Sequence, residues 1–261
     1  MLRALTLTMV AIISLSAHAE TKTTVIKHQL DREKFESVLI TPANPPTEAM
    51  RAIVLVPNWM GIDDNNIAQA KRIAERGYVV LVADVYGAKV RPKDAGEAGA
   101  AAGKLKGGDR APLRARMNQA LALLKSESAA RGIALKGTGA IGFCFGGTSV
   151  LELARSGTPL AGVVSFHGGL DTPNAGDAKN IKTKVLALHG ADDPYVPRDQ
   201  VQAFEDEMRA ANVDWQLLSY GGAVHSFTDV EAKAKGEAEY NERVATRAYA
   251  AMDEFFREVM P

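Results

Sequence analysis

Residues 140–154 read AIGFCFGGTSVLELA and place a cysteine where a short apolar run ends and a helical pattern begins. Cys144 is the only cysteine in 261 residues, and glycines stand two positions before it and two and three positions after it. A side chain projects from a sharp strand-to-helix turn only where its neighbours lack bulk, and Gly142 and Gly146 are placed accordingly. The stretch therefore has the G-x-S-x-G nucleophile-elbow pattern, with cysteine in place of serine.

The helix that follows favours a thiolate at Cys144. The unpaired N–H groups of its first turn and the positive end of its dipole point toward the sulfur. The competing interpretation is an inert core residue, since free cysteine is among the most frequently buried residue types. On the hexapeptide GFCFGG alone both interpretations stay open, with catalysis the favoured one.

The rest of the chain alternates apolar runs with helical patterns. Apolar, β-branched runs recur at 51–57, 78–85, 137–143, 160–167, 184–190 and 214–220. Between most of them apolar residues repeat at helical spacing, and a further helical pattern closes the chain at 241–260. This alternation predicts an α/β fold with a mostly parallel central sheet and helices on both faces. We expect residues 23–30 and 35–42 to form an antiparallel pair at its leading edge.

Two later strand ends supply an acid and a histidine, in the chain order nucleophile, acid, base. The fifth apolar run leads into Asp192 and Asp193, and the sixth is followed by His225. Functional residues in open α/β sheets collect at the carboxyl ends of the strands, so these side chains are expected at one edge with Cys144. Local turn chemistry leaves open whether Asp192 or Asp193 is the acid.

Other histidines compete for the role of base. His225 could be a structural histidine in a loop, and His167 and His189 also end apolar runs. Because His189 comes just before the acid turn, we interpret it as a packing or hydrogen-bonding residue. The position of His225 after the last strand favours it as the base.

The chain resembles the dienelactone hydrolase family of α/β-hydrolases, whose hallmark is a cysteine in a G-x-C-x-G-G elbow. The similarity extends from about residue 35 to the C-terminus and rests on residues 142–147, on Asp193 in DDPYVP and on His225 in HSF. The family pattern places the acid four residues before the proline of the V-P pair, which selects Asp193. The resemblance implies an α/β-hydrolase fold and a Cys144–His225–Asp193 triad that cleaves an ester or lactone through an acyl-enzyme.

Substrate-site residues follow from the same comparison. One oxyanion donor should be the backbone N–H of Phe145, directly after the nucleophile, and the family match for the second is Trp59. Asn58 stands where the type enzymes carry a glutamate that interacts with the thiol. We expect Asn58, Trp59 and Phe145 at the substrate site. The arginines that hold a substrate carboxylate in those enzymes have no evident match, so a neutral or differently anchored small ester or lactone is expected.

Residues 1–19 have the layout of a secretory signal peptide, with a basic start at Arg3, an apolar run and a small-x-small AHA ending. The alternative is a membrane anchor, but the apolar run is shorter than the roughly 20 residues that a spanning helix needs. Cleavage before Glu20 would leave one α/β-hydrolase domain, residues 20–261, in the periplasm or outside the cell. No membrane association is expected after cleavage.

Composition argues against several other classes of protein. The chain has 31 Lys and Arg against 31 Asp and Glu, without long runs of either sign, so it does not have the basic surface of a nucleic-acid or anionic-membrane binder. It has no motif with metal-ligand spacing and no phosphate-binding glycine loop, so we expect neither a metal nor a cofactor. Residues 87–110, rich in Gly, Ala and Lys, predict a solvated helix that could border a substrate entrance. The oligomeric state is not indicated.

Two alternative functions stay open beside hydrolysis of a small-molecule ester. One is acyl transfer or peptide-directed activity on the same triad, and the other is a non-catalytic relative that binds a ligand. The presence of an acid and a histidine in the expected order favours an enzyme.

Overall fold

The computed structural model describes residues 20–261, in which one large sheet is flanked by six α-helices. The strands of the sheet are β1 (Thr21–Leu30), β2 (Glu33–Pro42), β3 (Met50–Val56), β4 (Tyr78–Val82), β5 (Leu135–Phe143), β6 (Gly162–Phe166), β7 (Lys184–Gly190) and β8 (Trp215–Tyr220). The helices are α1 (Asp64–Ala74), α2 (Ala95–Lys106), α3 (Ala111–Ala130), α4 (Phe145–Arg155), α5 (Arg198–Ala210) and α6 (Glu242–Val259), with a 3-10 helix at Ala175–Asn180. A small hairpin consists of β9 (Lys233–Ala234) and β10 (Ala238–Glu239).

The strand order is β1-β2-β4-β3-β5-β6-β7-β8. β1 pairs antiparallel with β2, and β2 pairs antiparallel with β4. All pairs from β4 to β8 are parallel. The predicted mostly parallel sheet and the predicted antiparallel pair at its edge are therefore both confirmed.

The central strands are apolar throughout because both faces of the sheet are covered. In β3, Val54 and Val56 pack into one core, with α2 to α5, while Ile53 and Leu55 pack into the other, with α1 and α6. All four of these β3 side chains are fully buried. Burial on both sides explains why the sequence shows continuous apolar runs in place of alternation.

Strand β4 is shorter than the apolar run that predicted it. The run 78–85 was expected to be one strand, but β4 ends at Val82 and the chain turns at Asp84. The Asp84 carboxylate accepts hydrogen bonds from the backbone N–H groups of Glu36 and Gly87. This buried carboxylate fixes the turn and removes residues 83–85 from the sheet while keeping their side chains buried.

The nucleophile elbow is the tightest crossing in the fold. A Cβ atom built on Gly142, at the end of β5, would lie 1.9 Å from the carbonyl oxygen of Gly146 in α4. A Cβ atom on Gly146 would lie 2.1 Å from the carbonyl oxygen of Val56, at the end of β3. Because these neighbours are backbone atoms, no side-chain rotation could relieve either clash. Glycine at 142 and 146 is what lets α4 begin directly against the ends of β3 and β5.

Gly142→Ala should therefore destabilise the protein, whereas Gly103→Ala should not. Relief of a backbone clash requires α4 to move, and we expect a loss of about 3 kcal/mol or more in the free energy of unfolding. Gly103 lies in α2 with nothing within 4 Å of a built Cβ atom. Alanine there should add roughly 0.5–1 kcal/mol through helix propensity. Urea denaturation of both variants measures the difference; equal stabilities would contradict this account of the elbow.

The proposed signal peptide lies outside the described residues. Within residues 20–261, no helix is both long enough and apolar enough to span a bilayer. Residues 87–110 contain α2, whose Ala98, Ala102 and Leu105 are buried against the body of the protein. The prediction of a solvated helix is thus right for only one face of α2.

Candidate active site

Cys144 lies at the junction of β5 and α4 in a strained backbone conformation, with φ 55° and ψ −117°. Such a conformation costs roughly 1–3 kcal/mol in a residue other than glycine, so the surroundings must impose it. The Cys144 N–H donates to the carbonyl oxygen of Phe166 at 3.0 Å and approaches Nδ1 of His167 at 3.2 Å. The turn aims the sulfur into a cavity at the carboxyl edge of the sheet.

The predicted acid and base are in direct contact. His225 Nδ1 and Asp193 Oδ2 are 2.7 Å apart, and the other carboxylate oxygen of Asp193 accepts the backbone N–H of Tyr195 at 2.8 Å. Asp192 instead accepts the N–H of Gly222 at 2.9 Å and so ties two loops together. The geometry therefore distinguishes the two aspartates that turn chemistry left open, and it places Asp193 beside the imidazole.

The backbone of His225 is held by the β9–β10 hairpin. The His225 N–H donates to the carbonyl oxygen of Glu237 at 3.1 Å, and the N–H of Glu239 donates to the His225 carbonyl oxygen at 3.0 Å. These bonds form a short bridge between His225 and the strand that contains Ala238. The base thus does not extend from a sheet strand but rests on a separate small hairpin.

The thiol and the imidazole shift one another toward the charged pair. Burial raises the pKa of the Cys144 thiol, but interaction with His225 and with the backbone N–H groups of Phe145 and Trp59 outweighs it, so the net pKa is lowered. Burial lowers the pKa of His225, but Asp193 and Cys144 outweigh it and raise that pKa to about 10. At neutral pH the site therefore favours a thiolate beside an imidazolium.

The two expected oxyanion donors both face the sulfur. The backbone N–H groups of Phe145 and Trp59 stabilise the thiolate, as their effect on its pKa shows. The Tyr86 hydroxyl donates to the Trp59 carbonyl oxygen at 2.9 Å and so fixes the peptide unit that follows the one containing the Trp59 N–H. Tyr86 itself is buried and packs against the Phe145 ring. It supports the site and is not part of the cavity wall.

Asn58 braces the loop that carries Trp59. Its side-chain oxygen accepts hydrogen bonds from the Met60 N–H and from Nδ2 of Asn66, each at 3.0 Å. The Gly61 N–H donates to the Asn58 carbonyl oxygen at 3.0 Å and completes a tight turn. Asn58 borders the cavity as expected, and both its side-chain and its backbone carbonyl oxygens accept hydrogen bonds that shape this loop.

The cavity next to Cys144 has a volume of about 980 Å³. Its wall combines apolar and charged side chains and includes Trp59, Met60, Ala102, Lys106, Phe145, Thr148, Asp171, Tyr195, Val196, Asp229, Glu231 and Lys233. Ala102 and Lys106 belong to α2, so the region 87–110 contributes to the wall of this cavity. Among the described residues that line it there is no arginine. Lys106 Nζ lies 3.5 Å from Asp171, which also binds Arg110.

A buried network of ion pairs supports the cavity floor. Arg155 at the end of α4 is fully buried and pairs with Glu152 and, through two nitrogens, with Glu207 of α5. It also donates to the Leu170 carbonyl oxygen at 3.1 Å. The network fixes α4, whose first residue follows the nucleophile, to the loop at 168–171. Because both charges of each pair are buried, removing one partner would be strongly destabilising.

Within residues 20–261, no three His, Cys, Asp or Glu side chains are grouped in a way that could hold a metal ion.

The dienelactone hydrolase family model matches residues 35–260. The chain belongs to this family. The predicted family, the α/β-hydrolase fold and the predicted class of enzyme, a hydrolase, are confirmed. The roles of the individual site residues stay predictions that the geometry supports.

Three dienelactone hydrolase-like proteins illustrate the relationship. The solved structure of the promiscuous phosphotriesterase P91 from metagenomic libraries is 34% identical, with a TM-score of 0.84, over 92% of this chain and 99% of that chain. The probable 2-oxo-3-(5-oxofuran-2-ylidene)propanoate lactonase of Bradyrhizobium sp is 29% identical over 74% of this chain and 79% of its own. The carboxymethylenebutenolidase homolog of Mus musculus is 24% identical over 70% of this chain and 72% of its own.

His167 has a role in this dienelactone hydrolase family member that sequence reasoning did not assign. Its Nδ1 faces the Cys144 N–H and its Nε2 lies 2.8 Å from the Thr228 hydroxyl. Burial and the nearby His225 lower its pKa well below the usual value, so we assign the neutral Nε2–H tautomer, which donates to Thr228. His189 is buried, and its Nδ1 has no hydrogen-bond partner among the described residues.

The thiolate can be measured directly by alkylation with iodoacetamide as a function of pH. In the wild type, the lowered thiol pKa should place the midpoint of the rate–pH profile below that of an ordinary thiol. His225→Ala should move that midpoint upward and reduce the rate at pH 7 by up to about tenfold for each pH unit of the rise, because the effect of burial on the thiol pKa is then less opposed.

Asp193→Asn provides the second arm of this measurement. It keeps the shape of the side chain but removes the charge that stabilises the imidazolium, so the rate at pH 7 should lie between those of the wild type and His225→Ala. Identical pH profiles for all three proteins would contradict the ion pair.

Proposed function

We propose that this protein is a cysteine-dependent hydrolase of small esters or lactones that works through an acyl-enzyme on Cys144. The observation that carries the proposal is that Cys144 and His225 line one cavity with Trp59 and Phe145, while His225 Nδ1 contacts Asp193 at 2.7 Å. Each of these groups has a separate task in acyl transfer.

In the first half-reaction the Cys144 thiolate attacks the substrate carbonyl carbon. A C–S bond forms, and the carbonyl π electrons move to the oxygen, where the Phe145 and Trp59 N–H groups stabilise the negative charge. The tetrahedral intermediate then collapses, the C–O bond breaks, and the His225 imidazolium gives its proton to the departing alkoxide. The product is an alcohol and a thioester on Cys144.

In the second half-reaction His225, now neutral, accepts a proton from water as the water oxygen attacks the thioester. The second tetrahedral intermediate expels the Cys144 thiolate and releases a carboxylic acid, which ionises in solution. Asp193 holds the imidazole orientation and stabilises its cationic form in both halves of the cycle. With a lactone, the alcohol and the acid remain parts of one product.

The cavity favours an uncharged substrate. The ammonium group of Lys106 is paired with Asp171, and the described cavity wall also carries Asp63, Asp229 and Glu231. A substrate carboxylate would meet more negative than positive groups there. The name of the Bradyrhizobium relative supports a lactone as one substrate class, and that of P91 is the reason to include a neutral phosphotriester in a substrate panel.

The test compares p-nitrophenyl acetate hydrolysis by the wild type, Cys144→Ala, Cys144→Ser and His225→Ala under reducing conditions. Cys144→Ala and His225→Ala should lose at least about a thousandfold in kcat/KM, because the nucleophile or its base is missing. Cys144→Ser should also be weak, because this site favours a thiolate and an alcohol does not ionise near neutral pH. Circular dichroism controls for folding.

Intact mass spectrometry of rapidly quenched wild-type protein should show an acetyl adduct of about 42 Da on Cys144. Turnover by Cys144→Ala equal to the wild type would overturn the proposal. A folded wild type that neither turns over any ester or lactone nor forms an adduct would indicate a ligand-binding protein. Aminolysis of the adduct by added amines in preference to water would indicate acyl transfer.

We further propose that residues 1–19 direct export and that the mature protein starts at Glu20. The basic start, apolar run and AHA ending of that segment support this. Expression of the full chain in a Gram-negative bacterium should give a periplasmic protein with the mass of residues 20–261. Ala19→Arg, which places a large charge at the cleavage site, should retain the uncleaved precursor. A full-length wild type in the cytoplasm would contradict export.

A further inference from the structure

Tyr195 contacts both partners of the acid–base pair although more than half of the residue is exposed. Its relative exposure is 55%, so burial in a core does not explain its position. Its backbone N–H holds one carboxylate oxygen of Asp193, and its ring meets the His225 imidazole edge-on, with 5.2 Å between centroids and 84° between planes. The ring therefore covers the imidazole on the solvent side of the cavity.

The Tyr195 hydroxyl extends the contact to the hairpin. It donates to a carboxylate oxygen of Glu237 at 3.1 Å. The backbone carbonyl of the same Glu237 accepts the N–H of His225. Glu237 is thus bound to the base through its main chain and to the acid loop through its side chain.

These contacts close a ring that runs from Asp193 to His225, on to Glu237 and back through Tyr195. Within the described chain, β9 and β10 form a sheet of two-residue strands, and β10 is also bridged to His225 through Ala238. So small a hairpin has little stability by itself. Its position relative to Asp193 must therefore depend on contacts such as the one from Tyr195.

We propose that Tyr195 is a positioning residue: its hydroxyl bond to Glu237 fixes the hairpin that holds the His225 backbone against the acid loop. The inference rests on the proposed function for its effect on turnover, but the alignment of His225 with Cys144 can be followed without any ester. The hydroxyl acts through Glu237 and His225 and does not touch the reacting atoms.

The experiment uses Tyr195→Phe, Glu237→Ala, Glu237→Gln and the double variant Tyr195→Phe/Glu237→Ala of the mature protein. Tyr195→Phe removes only the hydroxyl, and Glu237→Ala removes only its acceptor. Glu237→Gln keeps an acceptor oxygen. Tyr240→Phe, which removes another exposed tyrosine hydroxyl next to the hairpin, is the matched control. Two quantities are measured: kcat and KM for p-nitrophenyl acetate, and the iodoacetamide rate at pH 6.

Tyr195→Phe and Glu237→Ala should each lower kcat about threefold to tenfold with KM within about twofold, because one hydrogen bond that aligns the base is lost. Both should lower the alkylation rate at pH 6 about threefold or more, because a displaced imidazolium stabilises the thiolate less. The double variant should be no worse than either single variant. Glu237→Gln and Tyr240→Phe should stay within about twofold of the wild type.

The alkylation arm separates the two hypotheses. The charged groups that shift the pKa of His225, namely Asp193 and Cys144, are the same in all these variants, and Glu237→Gln controls for loss of the Glu237 charge. If the wild type has no esterase activity but Tyr195→Phe still slows alkylation, the proposed function fails and the positioning role stands. If Tyr195→Phe and Glu237→Ala match the wild type in alkylation, or if their effects add fully in the double variant, the positioning role is overturned.

Discussion

The contact on which the structure depends is the meeting of three backbone segments at the nucleophile elbow. The end of β3, the end of β5 and the first turn of α4 approach so closely that a Cβ atom at Gly142 or Gly146 would overlap backbone oxygens. This approach brings the N–H groups of Phe145 and Trp59 to one point beside Cys144. The same sterics that permit the turn therefore create the oxyanion site, and fold and chemistry share one constraint.

Strain at the elbow is held by polar contacts that also connect it to the base. The Cys144 N–H is fixed by the Phe166 carbonyl and by His167, and His167 packs edge-on against His225 with 5.3 Å between ring centroids. His167 must stay neutral to accept at Nδ1, and its burial beside a cationic His225 keeps it so. His167 is thus neutral and His225 cationic, although their ring centroids are only 5.3 Å apart. Their hydrogen-bond partners account for the difference: a hydroxyl group for His167 and a carboxylate for His225.

The sequence predicts most of the sheet and the three residues that meet at its edge, because both depend on local patterns. The run 184–190 matches β7 residue for residue, since a strand buried on both faces is apolar from end to end. Chain order and strand ends predicted Cys144 and His225 and left Asp192 and Asp193 open as the acid, and the family resemblance then selected Asp193. The sequence did not predict the role of Asn58. The residue was compared with the glutamate that the type enzymes carry at this position, whereas its side-chain carbonyl oxygen shapes the turn that presents Trp59.

Contacts between segments far apart in the chain could not be predicted in this way. Arg155 and Glu207 are 52 positions apart, and each alone is typical of an exposed helix face. The β9–β10 hairpin consists of two-residue strands without apolar alternation, so no hydrophobic periodicity predicts it.

The parts of the site that the sequence predicts and the parts that it does not predict differ in how the structure holds them. The proposed nucleophile and the Phe145 N–H lie where the buried sheet meets α4, which an internal ion-pair network holds, and the Trp59 N–H lies in a loop braced by Asn58. The proposed base, His225, lies in the loop after β8 between the buried residues Ala223 and Phe227, and a small peripheral hairpin holds its backbone through hydrogen bonds. An imidazole that must move a proton between sulfur, leaving group and water gains from a support that can adjust slightly. That support is still useful only if it returns to one position, and this explains why polar contacts from the acid loop converge on it.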